Sequence, residues 1–342
     1  MAAPIPKRDR KVFFVGAGLS CALGLPNTPS LIDEVEKFAR RPEIGWLDHA
    51  VLAKSLGDAF KFFYPDGQID GYRPDVVDFF SSLRTFIEVG AGMPGTGFGN
   101  PRELQRTLPA AMAHLLIDRC RASNDTLEKG HSYLDKIVQP GNIAITSNWD
   151  LLPERYAAIR NVPLALTGLP SDEFGLLKLQ GSVDWCLVEN RKPGRSDAEY
   201  ASLAERLNRN RRYRTKLPTL DGDVLRIRAL EGWNKAWQKI RSRGTDHLMV
   251  TMAPGKQGEI VPLDGVWRDA YGAVSRASLL EIVGSMPGDD VEIRTLLRAG
   301  IRRQSKGGLK ISVVNPAPDV HDRVRRYLQR SITSSYVPIG GA

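Results

Sequence analysis

One stretch near the start of the chain decides the fold: Lys11-Val-Phe-Phe-Val-Gly-Ala-Gly-Leu-Ser-Cys-Ala-Leu-Gly-Leu-Pro26. The four consecutive apolar residues from Val12 to Val15 are β-branched or aromatic, and they are too few for a lone helix, so they predict a buried strand. Gly16 and Gly18 follow at once, and glycines permit a tight turn that a phosphate can approach closely. The stretch therefore predicts a strand that runs into a candidate phosphate-binding loop.

The same loop argues against an ordinary hydride-transferring dehydrogenase. The dinucleotide fingerprint has a third glycine where this chain has Cys21, and it needs an acidic residue at a strand end about 20 positions further on. In this chain the acidic residues of that region, such as Asp33 and Glu34, fall within a predicted helix. A plain tight turn and a nucleotide-binding loop both stay open as interpretations of the glycines.

Composition predicts a cytoplasmic protein that does not contact a membrane. The 342 residues are 42% hydrophobic, which is enough to bury a full core. No stretch approaches the ~18 uncharged apolar residues of a membrane-spanning helix, and the first residues lack an apolar signal region. Cys21, Cys120 and Cys186 lie far apart without a Cys-x-x-Cys motif, which excludes a disulfide framework and a four-cysteine zinc site. We therefore expect no bound metal.

Five further apolar runs follow from residue 141 onward, and each ends in small, amide or carboxylate residues. This pattern is typical of an open parallel sheet whose ligand lies across the carboxyl ends of its strands. Together with the opening strand, it predicts an α/β fold: a Rossmann-like parallel sheet of about six strands with helices on both faces. The five runs are Ile143–Thr146, Leu176–Leu179, Leu248–Thr251, Leu279–Val283 and Ile311–Val314.

Helical spacing of apolar residues occupies most of the intervals between these runs. Residues 30–40 predict a first crossover helix, with Ser30 as its N-cap and Glu34 as the capping-box partner. Residues 46–136 predict a helical module that is inserted into a single domain spanning residues 1–342. The other predicted helices are Leu47–Phe63, Val76–Val89, Arg102–Arg121, Trp267–Arg276, Val291–Arg302 and Val320–Ile332.

A basic insertion, residues 189–245, interrupts this succession of predicted strands and helices. Between Glu189 and Arg243 there are 15 Lys/Arg and 7 Asp/Glu, a surplus of eight that accounts for nearly all of the net charge of +9. One interpretation is a solvated charged surface. The other is a site for nucleic acid or an acidic partner subunit through residues 206–216, because clustered arginines beside an aromatic residue suit phosphate contacts and base stacking.

Taken in order, several of these motifs resemble the sirtuin-like NAD-consuming family, and most closely its prokaryotic branch associated with anti-phage defence. The resemblance covers roughly residues 11–40, 141–187 and 246–318. It implies a Rossmann-like sheet that binds NAD and breaks the bond between nicotinamide and ribose. Because the four-cysteine zinc module of the deacetylases is missing, removal of acetyl groups from lysine is not expected. The matching motifs are Gly16-Ala-Gly-Leu-Ser20 with Gly24-Leu-Pro26, Thr146-Ser-Asn-Trp-Asp150, Lys178-Leu-Gln-Gly-Ser-Val-Asp-Trp185, Gly284-Ser285 and Val314-Asn-Pro316.

The resemblance also implies a role for each matching residue. Asn148 would hold the ribose or the attacking water, and Asp150 would bind the nicotinamide carboxamide. Gln180 would orient a ribose hydroxyl. A larger set would contact the phosphates and riboses of NAD without a metal: Gly16, Ala17, Gly18, Ser20, Pro26, Gly181, Ser182, Gly284, Ser285 and Asn315.

Gln180 departs from the family pattern, because it stands where the family has its catalytic histidine. An amide donates and accepts hydrogen bonds but cannot act as a base. Two functions of the nucleotide site therefore stay open, beside a third in which the chain is a nucleic-acid-binding module through the basic insertion. One is an NAD glycohydrolase that depletes NAD as an effector of bacterial anti-phage defence; the other is a catalytically silent NAD-binding subunit of a defence complex. Since NAD depletion kills the cell, we expect a homo-oligomer or a partner, such as an ATPase or nuclease of the same system, to control the activity.

Overall fold

The computed structural model describes residues 10–40, 49–65, 74–90, 101–166, 168, 172–187, 246–250, 260, 263–285, 290–304, 308–330 and 332–336. Seven helices follow the first strand in succession, and strands and helices alternate from residue 246 onward in the described ranges. The strands are β1 (Lys11–Val15), β2 (Ile143–Thr146), β3 (Leu164–Ala165), β4 (Phe174–Lys178), β5 (Gly181–Leu187), β6 (Asp246–Met249), β7 (Leu279–Val283), β8 (Lys310–Val314) and β9 (Thr333–Ser335).

Helices connect the strands. They are α1 (Ala17–Ala22), α2 (Leu31–Ala39), α3 (His49–Phe63), α4 (Val76–Glu88), α5 (Pro101–Ala122), α6 (Asn124–Lys129), α7 (Ser132–Ile137), α8 (Leu152–Ile159), α9 (Asp264–Val274), α10 (Val291–Arg303) and α11 (Pro318–Leu328). Among the helices of the described ranges, none has both the length and the apolar character that crossing a membrane requires.

Seven strands form a Rossmann-like sheet in the order β3-β4-β2-β1-β7-β8-β9, and every neighbouring pair is parallel. The chain builds the β2 side of β1 first and then crosses to the β7 side. The strand order therefore reverses between β1 and β7, and crevices for ligands form outside the carboxyl ends of the strands at such a switch point. The prediction of a parallel α/β sheet is confirmed.

The core lies along the central strands. Phe13, Phe14 and Ile145 have no exposed surface, as expected for strands covered on both faces. Burial of a large apolar side chain contributes roughly 1.5–3 kcal/mol, so these strands anchor the fold. Helix α5 continues through Pro109 and packs on α2, α3 and α4.

One strand prediction was wrong, and three of the observed strands were not predicted. The predicted run that begins at Leu248 is described only as far as Val250, and this portion is not part of the parallel sheet: β6 pairs antiparallel with β5 in a separate two-stranded sheet. Strand β5, which no predicted run covers, begins at Gly181, only three positions after β4 ends. The edge strands β3 and β9 span only two and three residues, which is too short to show a period.

Two details of the helices also differ from expectation. Helix α11 ends at Leu328, because Gln329 adopts the left-handed conformation (φ 54°), and the chain then enters β9. Ser30 is the N-cap of α2, but its ψ of −8° is helical rather than extended, and its hydroxyl does not cap. Glu34 pairs instead with Lys37 and Arg119. The capping-box prediction was therefore wrong.

Two further predictions fall partly or wholly outside the described residues. The basic insertion at 189–245, including residues 206–216, lies entirely outside them. Within residues 46–136, helices α3 to α7 occupy the described portions, as the helical pattern predicts. The division of residues 1–342 into one domain with two insertions stays a prediction.

Candidate functional site

The carboxyl ends of five strands lie in one row across the parallel sheet. The register aligns Val15 with Thr146 and Val283, and these align in turn with Lys178 and Val314. The predicted site residues follow this row directly: Gly16, Gly284 and Asn315 come one position after it, and Asn148 and Gln180 come two positions after it. Parallel strands therefore gather these residues at one edge of the sheet.

Ser20, Asn148 and Asp150 form a chain of hydrogen bonds at this edge. The Ser20 hydroxyl donates to Asp150 Oδ2 at 2.6 Å, and Asn148 Nδ2 donates to Ser20 Oγ at 3.0 Å. An ionised carboxylate only accepts hydrogen bonds, so the Ser20 proton points to Asp150, and Ser20 must accept from Asn148. The direction of these bonds therefore fixes the Asn148 amide, with its oxygen turned away from Ser20 as an acceptor.

Local structure holds these three side chains in place. The Thr146 hydroxyl donates to the Val15 carbonyl at 2.7 Å and accepts from Asn148 N–H at 2.9 Å, which ties the loop after β2 to the end of β1. Asp150 is buried, and its Oδ1 accepts from Leu152 N–H at the start of α8. Both oxygens of Asp150 thus have partners within the chain.

The glycines of the opening loop are required by close packing at the switch point. A Cβ on Gly16 would lie 2.4 Å from Ser285 Cβ, and one on Gly18 would lie 2.8 Å from the Gly284 carbonyl oxygen. Gly284 itself has a φ of 58°, which favours glycine. The loops after β1 and β7 therefore touch backbone to backbone.

The N–H groups of these glycines are used within the protein. Gly16 N–H donates to the Val283 carbonyl at 3.0 Å, and Gly18 N–H donates to the Gly284 carbonyl at 2.8 Å. The sequence suggested that they would cradle a phosphate, but in this structure they join two strand ends. The tight-turn interpretation therefore accounts for these two groups, and the contact of Gly16 and Gly18 with a nucleotide stays a prediction.

Gln180 is buried within the two-residue turn between β4 and β5. Its side-chain Nε2 donates to Asp290 Oδ2 at 2.9 Å. Its backbone carbonyl accepts from Trp149 Nε1 and from Val250 N–H. Its side-chain oxygen has no hydrogen-bond partner among the residues that the structure describes. Asp290 was not predicted as a site residue, although an aspartate directly before an apolar helical pattern is a standard N-cap signal.

A buried ionic cluster lies beneath the site. The Lys178 ammonium donates to Glu154 Oε1 at 2.8 Å, to Ser182 Oγ at 2.7 Å and to the Asp150 carbonyl at 2.5 Å. Burial raises the pKa of Glu154, the Lys178 charge opposes this shift, and the nearby Asp184 adds to it. Ser182, which was predicted to contact the nucleotide, is fully buried, and its hydroxyl accepts a hydrogen bond from Lys178.

The remaining predicted residues follow the ends of β1, β4 and β8 in sequence. Gly181 is buried, begins β5 with a φ of 76° and pairs with Met249. Asn315 follows β8, and its side chain accepts from Ala317 N–H at the start of α11. Ala17 begins α1, and Pro26 is half-buried in the loop after that helix. The contacts of these four residues with a nucleotide stay predictions.

Metal binding has no support from the residues that the structure covers. These residues contain no group of three or more His, Cys, Asp or Glu side chains that could hold an ion. The site that they build consists of amides, a hydroxyl and carboxylates. Such groups suit the hydroxyls and amide of an organic ligand.

Comparisons with known proteins give only distant similarities. No family model and no curated protein matches the chain. Among solved structures, a Sir2 enzyme studied for its mechanism and regulation has a TM-score of 0.37 at 14% identity, with 97% of this chain and 88% of that chain covered. A Sir2 mutant with a p53 peptide and NAD has a TM-score of 0.34 at 16% identity, with 96% and 88% covered. The site is therefore interpreted from the contacts of this chain alone.

Proposed function

We propose that this chain binds NAD and hydrolyses it to nicotinamide and ADP-ribose. The observation that carries the proposal is the hydrogen-bonded chain of Asn148, Ser20 and Asp150 at the carboxyl edge of the sheet, beside its switch point. Open parallel sheets bind nucleotides at this place. The sequence motifs that resemble the NAD-consuming family supply the same three residues.

The reaction needs positioning and charge stabilisation more than covalent chemistry from the protein. The bond between the ribose carbon and the nicotinamide nitrogen breaks, and its electron pair stays with nicotinamide. Water adds to the ribose carbon and releases a proton, so NAD and water give ADP-ribose, nicotinamide and a proton. The Asn148 oxygen accepts a hydrogen bond from the attacking water or a ribose hydroxyl, and the buried negative charge of Asp150 favours the cationic ribose of the transition state.

A second candidate is a subunit that binds NAD without cleaving it. The specific observation in its favour is Gln180, because an amide in place of a histidine removes general-base help worth typically ~10²–10⁴ in rate. Under this alternative the same edge of the sheet binds the nucleotide. Binding alone therefore does not separate the two candidates, whereas turnover does.

The test is whether the purified full chain releases nicotinamide from NAD, with the released nicotinamide measured by chromatography. We expect release by the wild-type protein and a loss of about 10²-fold in Asn148→Ala, since misplaced reactants cost about this much. Asn161→Gly is a matched control, because Asn161 is exposed with a φ of 54° that glycine adopts readily. NAD binding without any release, alone or with a partner, would favour the silent subunit.

We further propose that the activity serves bacterial anti-phage defence, the setting that the sequence resemblance implies. A homo-oligomer or a partner such as an ATPase or nuclease would then control it. The test is the cellular NAD concentration during phage infection of bacteria that express the chain. We expect a fall with the wild-type chain and no fall with Asn148→Ala; equal NAD levels in both would contradict the defence role.

A further inference from the structure

Gln180 and Asp290 are joined by a hydrogen bond although they lie 110 positions apart in sequence. Asp290 is the N-cap of α10, and its Oδ1 accepts from Ile293 N–H at 3.0 Å. Its Oδ2 is the atom that accepts from Gln180 Nε2. One carboxylate thus accepts two hydrogen bonds: one from the first turn of a 13-residue helix and one from Gln180, which stands at the position of the missing histidine.

The carboxylate determines which way the Gln180 amide faces. An ionised carboxylate only accepts, so the donor end of the amide must face Asp290 and the oxygen must face away from it. Gln180 is 1% exposed, and its oxygen has no partner among the described residues. A buried acceptor without a partner costs free energy, which a ligand's donor would recover.

Asn148 shows the same arrangement on the neighbouring strand. Thr146 and Lys178 are register partners on β2 and β4, and Asn148 and Gln180 each follow two residues later. Ser20 holds the donor end of one amide, and Asp290 holds the donor end of the other. The edge therefore carries two amides with fixed orientation, each with its oxygen turned away from the group that holds it.

We infer that Asp290 is a positioning residue that fixes Gln180 as a hydrogen-bond acceptor for a ribose hydroxyl of the bound nucleotide. This inference rests on the proposed function, because it names the part of NAD that Gln180 recognises. It also assigns a direction to the contact: the ligand donates and the protein accepts. An N-cap carboxylate suits this task, because its hydrogen bond to the first turn of the helix restricts the movement of the carboxylate.

The experiment exchanges the two functional groups. Asp290→Asn keeps an N-cap residue but gives Gln180 an amide partner with a single acceptor oxygen. Gln180→Glu places a second carboxylate next to that of Asp290, so the two negative charges repel each other. In the double variant, the introduced asparagine accepts from Ile293 N–H and donates to the introduced glutamate, which leaves one glutamate oxygen as the acceptor. Gln180→Met removes the acceptor without changing α10.

The measurement is calorimetric affinity for NAD and for two NAD analogues, each lacking one hydroxyl of the nicotinamide ribose. In the wild-type protein we expect one of the analogues to bind about tenfold more weakly than NAD. In Gln180→Met, NAD and that analogue should bind equally. Each single exchange should weaken NAD binding about tenfold, and the double variant should recover most of the loss.

The outcomes separate this inference from the proposed function. If the wild-type protein binds NAD and both analogues equally, or if the double variant is as weak as the single variants together, the inference is overturned and NAD binding still stands. If the wild-type protein does not bind NAD at all, the proposed function is overturned and this inference falls with it. Unfolding midpoints of all variants show whether a loss of binding reflects a loss of folding.

Discussion

Ser20 Oγ lies 2.6 Å from Asp150 Oδ2, and this hydrogen bond joins the helix after β1 to the loop after β2 across 130 positions of sequence. Because Ser20 also accepts from Asn148, one hydroxyl orients the two polar side chains that we assign to NAD cleavage. Both side chains therefore depend on Ser20 for their orientation.

The first prediction concerns this hydroxyl. Ser20→Ala frees the Asn148 amide and removes a partner of the buried Asp150, so nicotinamide release should fall about 10²-fold and the free energy of unfolding by about 1–3 kcal/mol. The measurements are chromatography of nicotinamide and urea unfolding. Ser334→Ala, on the exposed edge strand β9, is the control and should change neither quantity. Full activity of Ser20→Ala would contradict the proposed role.

The second prediction concerns the contact between the loops after β1 and β7. Gly18→Ala places a Cβ 2.8 Å from the Gly284 carbonyl oxygen, and backbone cannot move away cheaply. We expect the free energy of unfolding to fall by about 1–3 kcal/mol, as for other overpacked sites. Gly57→Ala is the matched control: it lies within α3 with open space around its Cβ, so it should stabilise by about 0.5–1 kcal/mol. Equal effects of the two substitutions in urea unfolding would show that the loops do not touch.

The third prediction restores a base. In Gln180→His, a ring nitrogen takes the place of an amide that already contacts Asp290 Oδ2, so the carboxylate can hold the imidazole in position. Nicotinamide release should rise by about 10²-fold or more, and the rate should increase with pH as the imidazole loses its proton. Asp290→Asn in the same background should remove most of the gain. No gain in Gln180→His would mean that the missing base does not limit turnover.

The fourth prediction concerns the pH dependence of stability. Burial raises the pKa of Glu154 above its ordinary value, so the folded chain keeps a proton that the unfolded chain releases. Through this group, the free energy of unfolding should fall as pH rises from the ordinary carboxyl pKa to the raised one, and it should change no further above that.

Asp184→Asn tests this pH dependence. The negative charge of Asp184 helps to raise the pKa of Glu154, so its removal should move that pKa back toward its ordinary value and flatten the slope. Urea unfolding at about pH 5 and about pH 8 measures the change. The exposed Asp319, changed to Asn, is the control. An unchanged slope in Asp184→Asn would exclude coupling within the cluster.

The central strands and most helices could be predicted from sequence because their apolar patterns are local. The run from Val12 to Val15 and the end of β7 at Val283 are examples. Strands β3 and β9 could not be predicted, since two or three residues show no period. The placement of β6 was wrong because an apolar run does not reveal its pairing partner.

The site was predictable only in part for the same reason. Asn148 and Ser20 belong to recognisable motifs, and the structure brings them into contact. The pairing of Gln180 with Asp290 depends on how β4 and α10 are placed in space, which no local pattern contains. The hydrogen bond from Gly18 N–H to the Gly284 carbonyl is likewise a tertiary contact, and the glycine pattern alone does not reveal it.

Calorimetric titration of the full chain with NAD tests the central claim most directly, because every proposed role needs the nucleotide at this edge of the sheet. The account predicts one NAD bound per chain and a loss of binding of about tenfold or more in Ser20→Ala, with Ser334→Ala unchanged. Absence of NAD binding by the wild-type chain, or equal binding by Ser20→Ala, would contradict it.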